Sequence, residues 1–246
     1  MFKPFFARLK QGHQTRTFPP EPKLSERYRG LPIIEDEHNE TAVELCPVEA
    51  LALDPNGKLT LDIGRCIFCG NCEKSGAIRF SREYRQATFS RKELIFGAEL
   101  EETGERLRTE IYKIFRRSLK LRVVSAGGCG ACEADINVLT TLNWDISRFG
   151  IKFVASPKHA DGIVVAGPVT ANMKDALLKT YEAVGEPKVV IAVGACAISG
   201  GIYAGIQSDC NGIADLLPVD LFIPGCPPHP ATILDGFLQL MRASNN

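Results

Sequence analysis

The sequence predicts an α/β protein in which a parallel β-sheet covered by helices is preceded by a smaller, cysteine-bearing unit. From residue 119 onward, short β-branched runs alternate with helical patterns, which is the order of a parallel sheet with helices on both faces. The cysteines of this half follow directly after predicted strands. The first half contains a separate cysteine group among short apolar stretches.

Three stretches of the first half carry local structural signals. Residues 11–34 are rich in proline and charge, and we expect an extended strap because proline removes a backbone donor and restricts its neighbours. DPNGK at 54–58 lies between two alternating apolar stretches and predicts a hairpin. Residues 91–118 are charged with apolar residues at helical spacing, which predicts a linker ending in a helix. The expected divisions are 1–34 (strap), 35–90 (first cysteine domain), 91–118 (linker and helix) and 119–246 (sheet domain).

The second half predicts five strands and three helices. The strands are LKLRVVSA (119–126), IKFVAS (151–156), DGIVVAG (161–167), PKVVIAVG (187–194) and VDLFIPG (219–225). The helices are EADINVLTTL (133–142), NMKDALLKTYEAV (172–184) and PATILDGFLQLMRA (230–243). Parallel sheets bind ligands at the carboxyl ends of their strands, so we expect Cys129, Cys196 and Cys226 to converge there.

Composition narrows the class of function. The chain of 246 residues has 29 basic and 29 acidic residues, which argues against attraction of the whole chain to nucleic acid. Residues 1–30 hold seven Lys or Arg against two Glu, so this arm either follows an acidic partner or anionic membrane surface, or is a solvated tail. Nine clustered cysteines without a secretory signal favour cytosolic metal binding over disulfides. The sequence contains no run of 18 apolar residues, so it predicts no membrane span.

The first cysteine group combines a C-x2-C-x2-C run with an isolated Cys-Pro. The run is Cys66, Cys69 and Cys72, and Cys46-Pro47 lies about twenty residues upstream. In bacterial two-cluster ferredoxins each run is C-x2-C-x2-C-x3-C-P, and its fourth cysteine binds the other cluster. On that template the run supplies the first three ligands of the second motif, and Cys46 is the fourth cysteine of the first motif.

The template also accounts for the positions that lack cysteine. The ligands of the other cluster would fall at Asp36, Asn39, Ala42 and Gly76. All four ligands of one cluster are therefore present and all four of the other are missing. The segment resembles a two-cluster ferredoxin domain, a small α+β fold, reduced to one 4Fe-4S cluster on the four cysteines. The alternative is a structural zinc site with four cysteines, although such sites usually pair two C-x2-C motifs.

The second cysteine group lies in three glycine- or proline-rich segments, GGCGACEAD, GACAISGGIY and PGCPPHP. Glycine lets the backbone approach a bulky group closely, and proline stiffens the loop around it. Together these segments resemble the small subunit of group 4 energy-converting NiFe hydrogenases and the homologous 20 kDa subunit of respiratory complex I, from about residue 120 to the C-terminus. The resemblance implies a flavodoxin-like fold with a proximal 4Fe-4S cluster on Cys129, Cys132, Cys196 and Cys226.

Details near these motifs separate the branches of that family. Complex I subunits carry two adjacent cysteines in the first segment, whereas CGAC has the hydrogenase-like spacing. Hydrogenase-like small subunits often carry an acid near Glu133 that is implicated in proton passage; the alternative is an acid at a helix N-terminus. His229 stands where complex I relatives usually have arginine, and either couples protons to electron transfer or packs and hydrogen-bonds. Cys210 fits no motif and is expected to be a free thiol.

The strap TRTFPPEPKLSERYRG resembles the N-terminus of eight-iron ferredoxin subunits in complex I and related hydrogenases. The whole chain therefore resembles a ferredoxin subunit fused ahead of a hydrogenase-type small subunit. The resemblance implies an electron-relay oxidoreductase subunit with two 4Fe-4S clusters and no complete catalytic site of its own.

The implied partners are a large subunit that holds nickel, membrane subunits of the same complex and an electron-donor or acceptor module. The implied location is peripheral, on the cytoplasmic side of the inner membrane, without a transmembrane segment or signal peptide. One alternative is a complex I-like quinone oxidoreductase with a 49 kDa-type large subunit. Another is a soluble ferredoxin-like carrier or a zinc-stabilised interaction module.

Overall fold

The computed structural model describes residues 3–12, 15–18, 24–36, 40–97, 118–206 and 211–242. The helix predicted at the end of the 91–118 linker, the position of Asn39 and the expected free thiol of Cys210 lie outside these residues.

The described part of the first 97 residues forms two small antiparallel sheets. Its helices and strands are α1 (Lys3–Gln11), β1 (Pro32–Ile34), α2 (Glu40–Glu44), β2 (Leu51–Leu53), β3 (Leu59–Asp62), β4 (Ile78–Phe80) and β5 (Ile95–Phe96), with 3-10 turns at Asn71–Ser75 and Lys92–Leu94. Strand β1 pairs with β4, and the second sheet has the order β2-β3-β5. The sequence did not predict α1.

The predicted hairpin is confirmed. Strands β2 and β3 pair antiparallel with Leu51 opposite Leu61. In the turn between them, the Asp54 carboxylate accepts hydrogen bonds from the backbone N–H groups of Asn56 and Lys58, both at 2.8 Å. An aspartate that binds the backbone ahead of it in this way stabilises the turn.

The second half contains one five-stranded sheet in which every pairing is parallel. Its strands are β6 (Leu119–Ser125), β7 (Ile151–Phe153), β8 (Gly162–Ala166), β9 (Val189–Val193) and β10 (Leu221–Ile223). Its helices are α3 (Ala131–Val138), α4 (Ala171–Glu182), α5 (Ala195–Ser199) and α6 (Pro230–Arg242), with 3-10 turns at Ile146–Phe149, Pro157–His159 and Gly201–Tyr203. The strand order β10-β9-β8-β6-β7 is the flavodoxin order, which confirms the predicted fold class.

Alternate residues of the sheet contribute to two buried clusters, as expected when both faces are covered. One cluster joins Leu121 and Ile191 to Phe237 of α6. The other joins Ile163 and Val165 to residues of the first half, including Leu61, Ile63 and Cys66. The first cysteine-bearing unit is therefore packed against the sheet, while the domain boundaries given above remain a prediction.

The sheet edge provides a second connection between the two halves. Thr88 and Phe222 of β10 form an isolated antiparallel bridge with N–H to O distances of 3.0 and 2.8 Å. This backbone pairing and the shared core together attach the first cysteine-bearing unit to the parallel sheet. Among the described residues, no helix combines the length and apolar character needed to cross a bilayer.

We predict that Phe237→Ala lowers the free energy of unfolding by about 3–5 kcal/mol, because it leaves a cavity in the core. Phe237 is completely buried and its ring lies against Phe153 with centroids 6.3 Å apart. Chemical denaturation monitored by circular dichroism would measure the loss. The matched control Phe6→Ala removes a ring that is 64% exposed, and should change stability by about 0.5 kcal/mol or less. Equal effects of the two variants would contradict this account of the core.

Candidate functional site

The four cysteines of the first group line one cavity. Cys46 follows α2, Cys66 and Cys69 lie in the loop after β3, and Cys72 lies in the Asn71–Ser75 turn. The rest of the lining is largely apolar and comprises Pro32, Leu45, Pro47, Val48, Ala50, Leu51, Leu61, Ile67, Gly70, Ile78 and Phe80. The structure thus brings together the four cysteines that the ferredoxin template selects.

Backbone N–H groups point at sulfur atoms of this group. Ala50 N–H donates to Cys46 Sγ at 3.2 Å, and Phe68 N–H donates to Cys66 Sγ at 3.3 Å. Phe68 has a positive φ of 55°, a strained conformation for a non-glycine residue, inside the loop between Cys66 and Cys69. Hydrogen bonds to sulfur favour its thiolate form and adjust the reduction potential of any cluster bound there.

Burial determines the protonation of these thiols. It raises the pKa of Cys66 to about 12, and the neighbouring Cys72, Cys46 and Cys69 sulfurs add to the rise. It likewise raises the pKa of Cys72 to about 11, with Cys69 the next cause. These two thiols are protonated at neutral pH unless a positively charged group offsets the desolvation and mutual repulsion of the thiolates. The donor set therefore fits a cationic metal group that takes thiolates.

An ion pair that sequence reasoning missed holds the turn that leads to Cys66. The Asp62 carboxylate accepts hydrogen bonds from Arg91 at 2.8 and 2.5 Å and from the Gly64 N–H at 2.9 Å. The Asp62 carbonyl accepts from the N–H groups of Arg65 and Cys66, both at 3.2 Å. Asp62 and Arg91 are 29 residues apart, and no motif in the sequence links them.

The strap crosses the same loop. Arg29 Nη1 donates to the Phe68 carbonyl at 3.4 Å, and Arg29 Nε lies 3.5 Å from a carboxylate oxygen of Glu73. Arg29 also occupies the space over Gly70, where a Cβ atom would lie 2.6 Å from Arg29 Nε. The strap therefore covers one side of the first cysteine group.

Two of the template positions that lack cysteine lie close to each other. Asp36 N–H donates to the Ala77 carbonyl at 3.3 Å, which places Asp36 beside the Gly76 segment. Ala42 is completely buried and belongs to the same core cluster as Ala77. An apolar side chain thus fills space where a two-cluster ferredoxin carries a ligand.

The second group lies at the carboxyl edge of the parallel sheet, as predicted. Cys129 follows β6, Cys132 lies in the first turn of α3, Cys196 lies in α5 after β9, and Cys226 follows β10. Burial raises the pKa of Cys132, and the sulfurs of Cys196, Cys226 and Cys129 act in the same direction. Burial also raises the pKa of Cys196 to about 11 and, with Cys129, that of Cys226. The four sulfurs are therefore close enough to interact electrostatically.

Two glycines leave room beside these sulfurs. A Cβ atom on Gly194 would lie 2.6 Å from Cys132 Sγ, and one on Gly201 would lie 2.9 Å from Cys196 Sγ. Both residues also have positive φ angles, 88° and 54°, that disfavour other residue types. The glycines let these sulfurs lie close to the backbone, and four soft sulfur donors fit an iron–sulfur group.

The second group is open to the surface. Cys129 and Cys226 are exposed, whereas Cys196 is buried. Two apolar side chains that follow Cys196 in the chain are also exposed, Ile202 to 50% and Ile206 to 69%. The segment that follows Cys196 therefore presents apolar side chains at the surface.

Glu133 lies in the first turn of α3, where its carboxylate accepts a hydrogen bond from Ser125 Oγ at 2.5 Å. An acid in this place also interacts favourably with the N-terminal end of the helix dipole. Its role in proton passage stays a prediction.

His229 is held by packing and hydrogen bonding. Its Nδ1 accepts from the Ala231 N–H at 3.1 Å, and its ring makes edge contacts with Tyr28 and Trp144 at 5.2 and 6.0 Å between centroids. Burial and the positive charge of Arg16 lower the pKa of His229, so the ring is neutral at neutral pH. Trp144 is a core residue, 5% exposed.

Within the described ranges, no group of three or more His, Cys, Asp or Glu side chains is arranged to hold a single metal ion. The first cysteine group is thus defined by the cavity that its members line and by their electrostatic contacts, and the second by electrostatic contacts alone.

Comparison with known proteins identifies the second half. Residues 129–240 match the family described as "NADH ubiquinone oxidoreductase, 20 Kd subunit". Over 142 residues the chain is 38% identical to formate hydrogenlyase subunit 7 of Escherichia coli strain K12, a match that covers 58% of this chain and 56% of that protein.

Two further relatives are matched over most of their own length. A Pyrococcus furiosus protein named "Probable membrane-bound hydrogenase subunit mbhJ" is 38% identical, covering 54% of this chain and 80% of the relative. An NADH-quinone oxidoreductase subunit of Carboxydothermus hydrogenoformans is 42% identical, covering 48% of this chain and 72% of the relative. The chain therefore belongs to the family of the 20 kDa subunit of NADH ubiquinone oxidoreductase.

Proposed function

We propose that the chain is the electron-relay small subunit of a membrane-associated NiFe-hydrogenase complex, passing electrons through two 4Fe-4S clusters to or from a partner large subunit. The observation that carries this proposal is the gathering of eight cysteines into two groups of four, one of them at the carboxyl edge of the sheet. No other set of four cysteines remains in the sequence, so nickel belongs to the partner.

The choice of a hydrogenase over a quinone oxidoreductase depends on the CGAC segment. Cys129 and Cys132 are separated by two residues, which is the hydrogenase-like spacing. Sequence identity does not distinguish the hydrogenase relatives from the quinone oxidoreductase relatives. The chain is 38% identical to a relative named hydrogenase and 42% identical to one named NADH-quinone oxidoreductase. A complex I-like subunit that carries the terminal cluster is therefore the second candidate.

The protein's own contribution is to hold, bury and hydrogen-bond the redox groups. Each 4Fe-4S cluster, when bound, supplies one-electron redox chemistry. Cys46, Cys66, Cys69 and Cys72 would hold the first, and Cys129, Cys132, Cys196 and Cys226 the second. The apolar lining of the first cavity excludes water, and the N–H groups of Ala50 and Phe68 stabilise negative charge on its sulfurs.

The partner large subunit would cover the surface that contains Cys129, Cys226, Ile202 and Ile206. Closure there would remove water from the second cluster and bring it near the partner's active site. Glu133, close to the same surface, is the candidate for passing protons. The exposed Phe6 and Leu9 on α1, next to the cations Arg8 and Lys10, suit contact with membrane subunits on the cytoplasmic side.

Metal analysis of the purified complex tests the relay. We expect this chain to contribute about eight iron atoms and about eight acid-labile sulfides, because two 4Fe-4S clusters carry that number. Nickel in the complex and hydrogen-dependent dye reduction would support the hydrogenase. Quinone reduction without nickel would favour the second candidate. Zinc in place of iron in either site would refute the relay at that site.

We predict that Cys66→Ala removes one electron paramagnetic resonance signal of the reduced protein and leaves the other, because each cluster has its own four thiolates. Cys210→Ser is the matched control, and both signals should persist in it. Loss of both signals in folded Cys66→Ala protein would contradict two independent sites. Loss of either signal in the control would show that Cys210 is not a free thiol.

We predict that Ile206→Asp weakens association with the large subunit, since it places a charge on a 69% exposed apolar position in the segment after Cys196 that we propose the partner covers. A pull-down with the tagged chain would measure how much of the partner is retained, and iron content should not change. Leu53→Asp, on the β2–β3 hairpin at 37% exposure, is the control and should retain the partner. Equal retention in both variants would remove Ile206 from the interface.

A further inference from the structure

We propose that the contact between Ser199 and Gly64 is the bridge through which electrons pass between the two cysteine groups. The inference rests on the proposed two-cluster relay and assigns it a route. Ser199 Oγ donates a hydrogen bond to the Gly64 carbonyl at 3.1 Å, across 135 residues of sequence.

The bridge joins the two groups through their buried members. Each group contains a single buried cysteine, Cys66 in the first and Cys196 in the second, and each is 9% exposed. Gly64 lies two residues before Cys66, and Ser199 lies three residues after Cys196. The segments in contact are thus the ones that carry the innermost sulfur of each group.

The bonded path between the two cysteines is short. Ser199 Oγ also lies 3.1 Å from the Ala195 carbonyl oxygen, and that carbonyl carbon is bonded to the nitrogen of Cys196. On the other side, only Arg65 separates the Gly64 carbonyl from Cys66. A serine hydroxyl commonly bonds the carbonyl four residues back in its own helix, but the contact with Gly64 has no such local origin. One cluster loses one electron and the other gains it, and no proton needs to move.

Close packing holds the bridge in place. A Cβ atom on Gly64 would lie 2.9 Å from Ile198 Cγ2 and 3.0 Å from Leu94 Cδ1, so these surfaces leave no gap. The Gly64 N–H is held by Asp62, which Arg91 in turn fixes. Electron tunnelling weakens less through bonded and closely packed atoms than across a gap, so this arrangement suits transfer.

The loops of the two groups also approach each other elsewhere, but there they are separated by open space. Phe68 of the first group faces Gly225 and Pro227, which flank Cys226, across a cavity of about 250 Å³. Arg27, Gln86 and other polar groups line this cavity, which indicates that it is hydrated rather than tightly packed. The packed contact at Ser199 is therefore the favoured route.

Ser199→Ala in the full chain loaded with both clusters tests the bridge. Laser-flash photoreduction measures the rate at which an electron equilibrates between the clusters, and the spin–spin interaction of the reduced clusters reports their separation. We expect the rate to fall several-fold while the spin–spin interaction and the signal of each cluster stay unchanged. Ser199→Thr keeps the hydroxyl and should keep the rate.

Thr180→Ala is the matched control, because Thr180 makes the same hydrogen bond four residues back, to Ala176 in α4, at 2.7 Å. Its equilibration rate should equal that of the unmodified chain. An unchanged rate in Ser199→Ala protein that retains both clusters would overturn the inference.

Gly64→Ala provides a second test that does not depend on the stability of Ser199→Ala. Its added methyl group meets Ile198 Cγ2 and should move the two segments apart, which lowers both the rate and the spin–spin interaction. An unchanged rate in this variant would also overturn the bridge. Iron analysis of the unmodified chain precedes both tests: about four iron atoms instead of about eight would refute the two-cluster relay itself.

Discussion

The carboxyl edge of the parallel sheet is the constraint on which both cysteine groups depend. Strands β6, β9 and β10 end at this edge, and the loops that follow them carry the cysteines of the second group. The first group is placed relative to the same edge because Gly64, two residues before Cys66, contacts Ile198 and Ser199 of α5, the helix that follows β9. The Thr88–Phe222 bridge also attaches the first unit to β10, the strand at one end of the sheet. A fold that displaced this edge would separate the two groups.

Burial of the thiols accounts for the hydrogen bonds to sulfur and for the charge of the group that the cysteines would bind. An isolated buried thiolate is costly, and the raised pKa values of Cys66 and Cys196 express that cost. Hydrogen bonds to sulfur offset it, and a cationic iron group would do so too, because each stabilises the deprotonated form. The apolar lining that makes the thiolate costly is also the surrounding that excludes water from a redox group.

The sequence predicted the features that depend on short-range patterns. The parallel strands follow from β-branched runs, the first cysteine group follows from the ferredoxin template, and the second follows from three short segments that each come after a predicted strand. The sequence did not predict the Asp62–Arg91 ion pair or the Ser199–Gly64 hydrogen bond, since their partners are 29 and 135 residues apart and neither pair has a local signature. Helix α3 begins at Ala131 rather than at the predicted Glu133, because Gly130 adopts a left-handed conformation and starts the helix directly after the loop.

Each cysteine group has exposed and buried members, as a two-cluster relay requires. Cys69 is exposed on the first group, and Cys129 and Cys226 are exposed on the second, whereas Cys66 and Cys196 are buried between them. Two of the positions where this chain lacks the ligands of the other template cluster, Asp36 and Gly76, are exposed. The cysteine group that is present is the one whose buried member, Cys66, packs in the core shared with the sheet. In the proposed relay, an external donor would approach this group from the Cys69 side. In the proposed relay, electrons entering there would cross the packed contact and leave at the surface that a large subunit would cover.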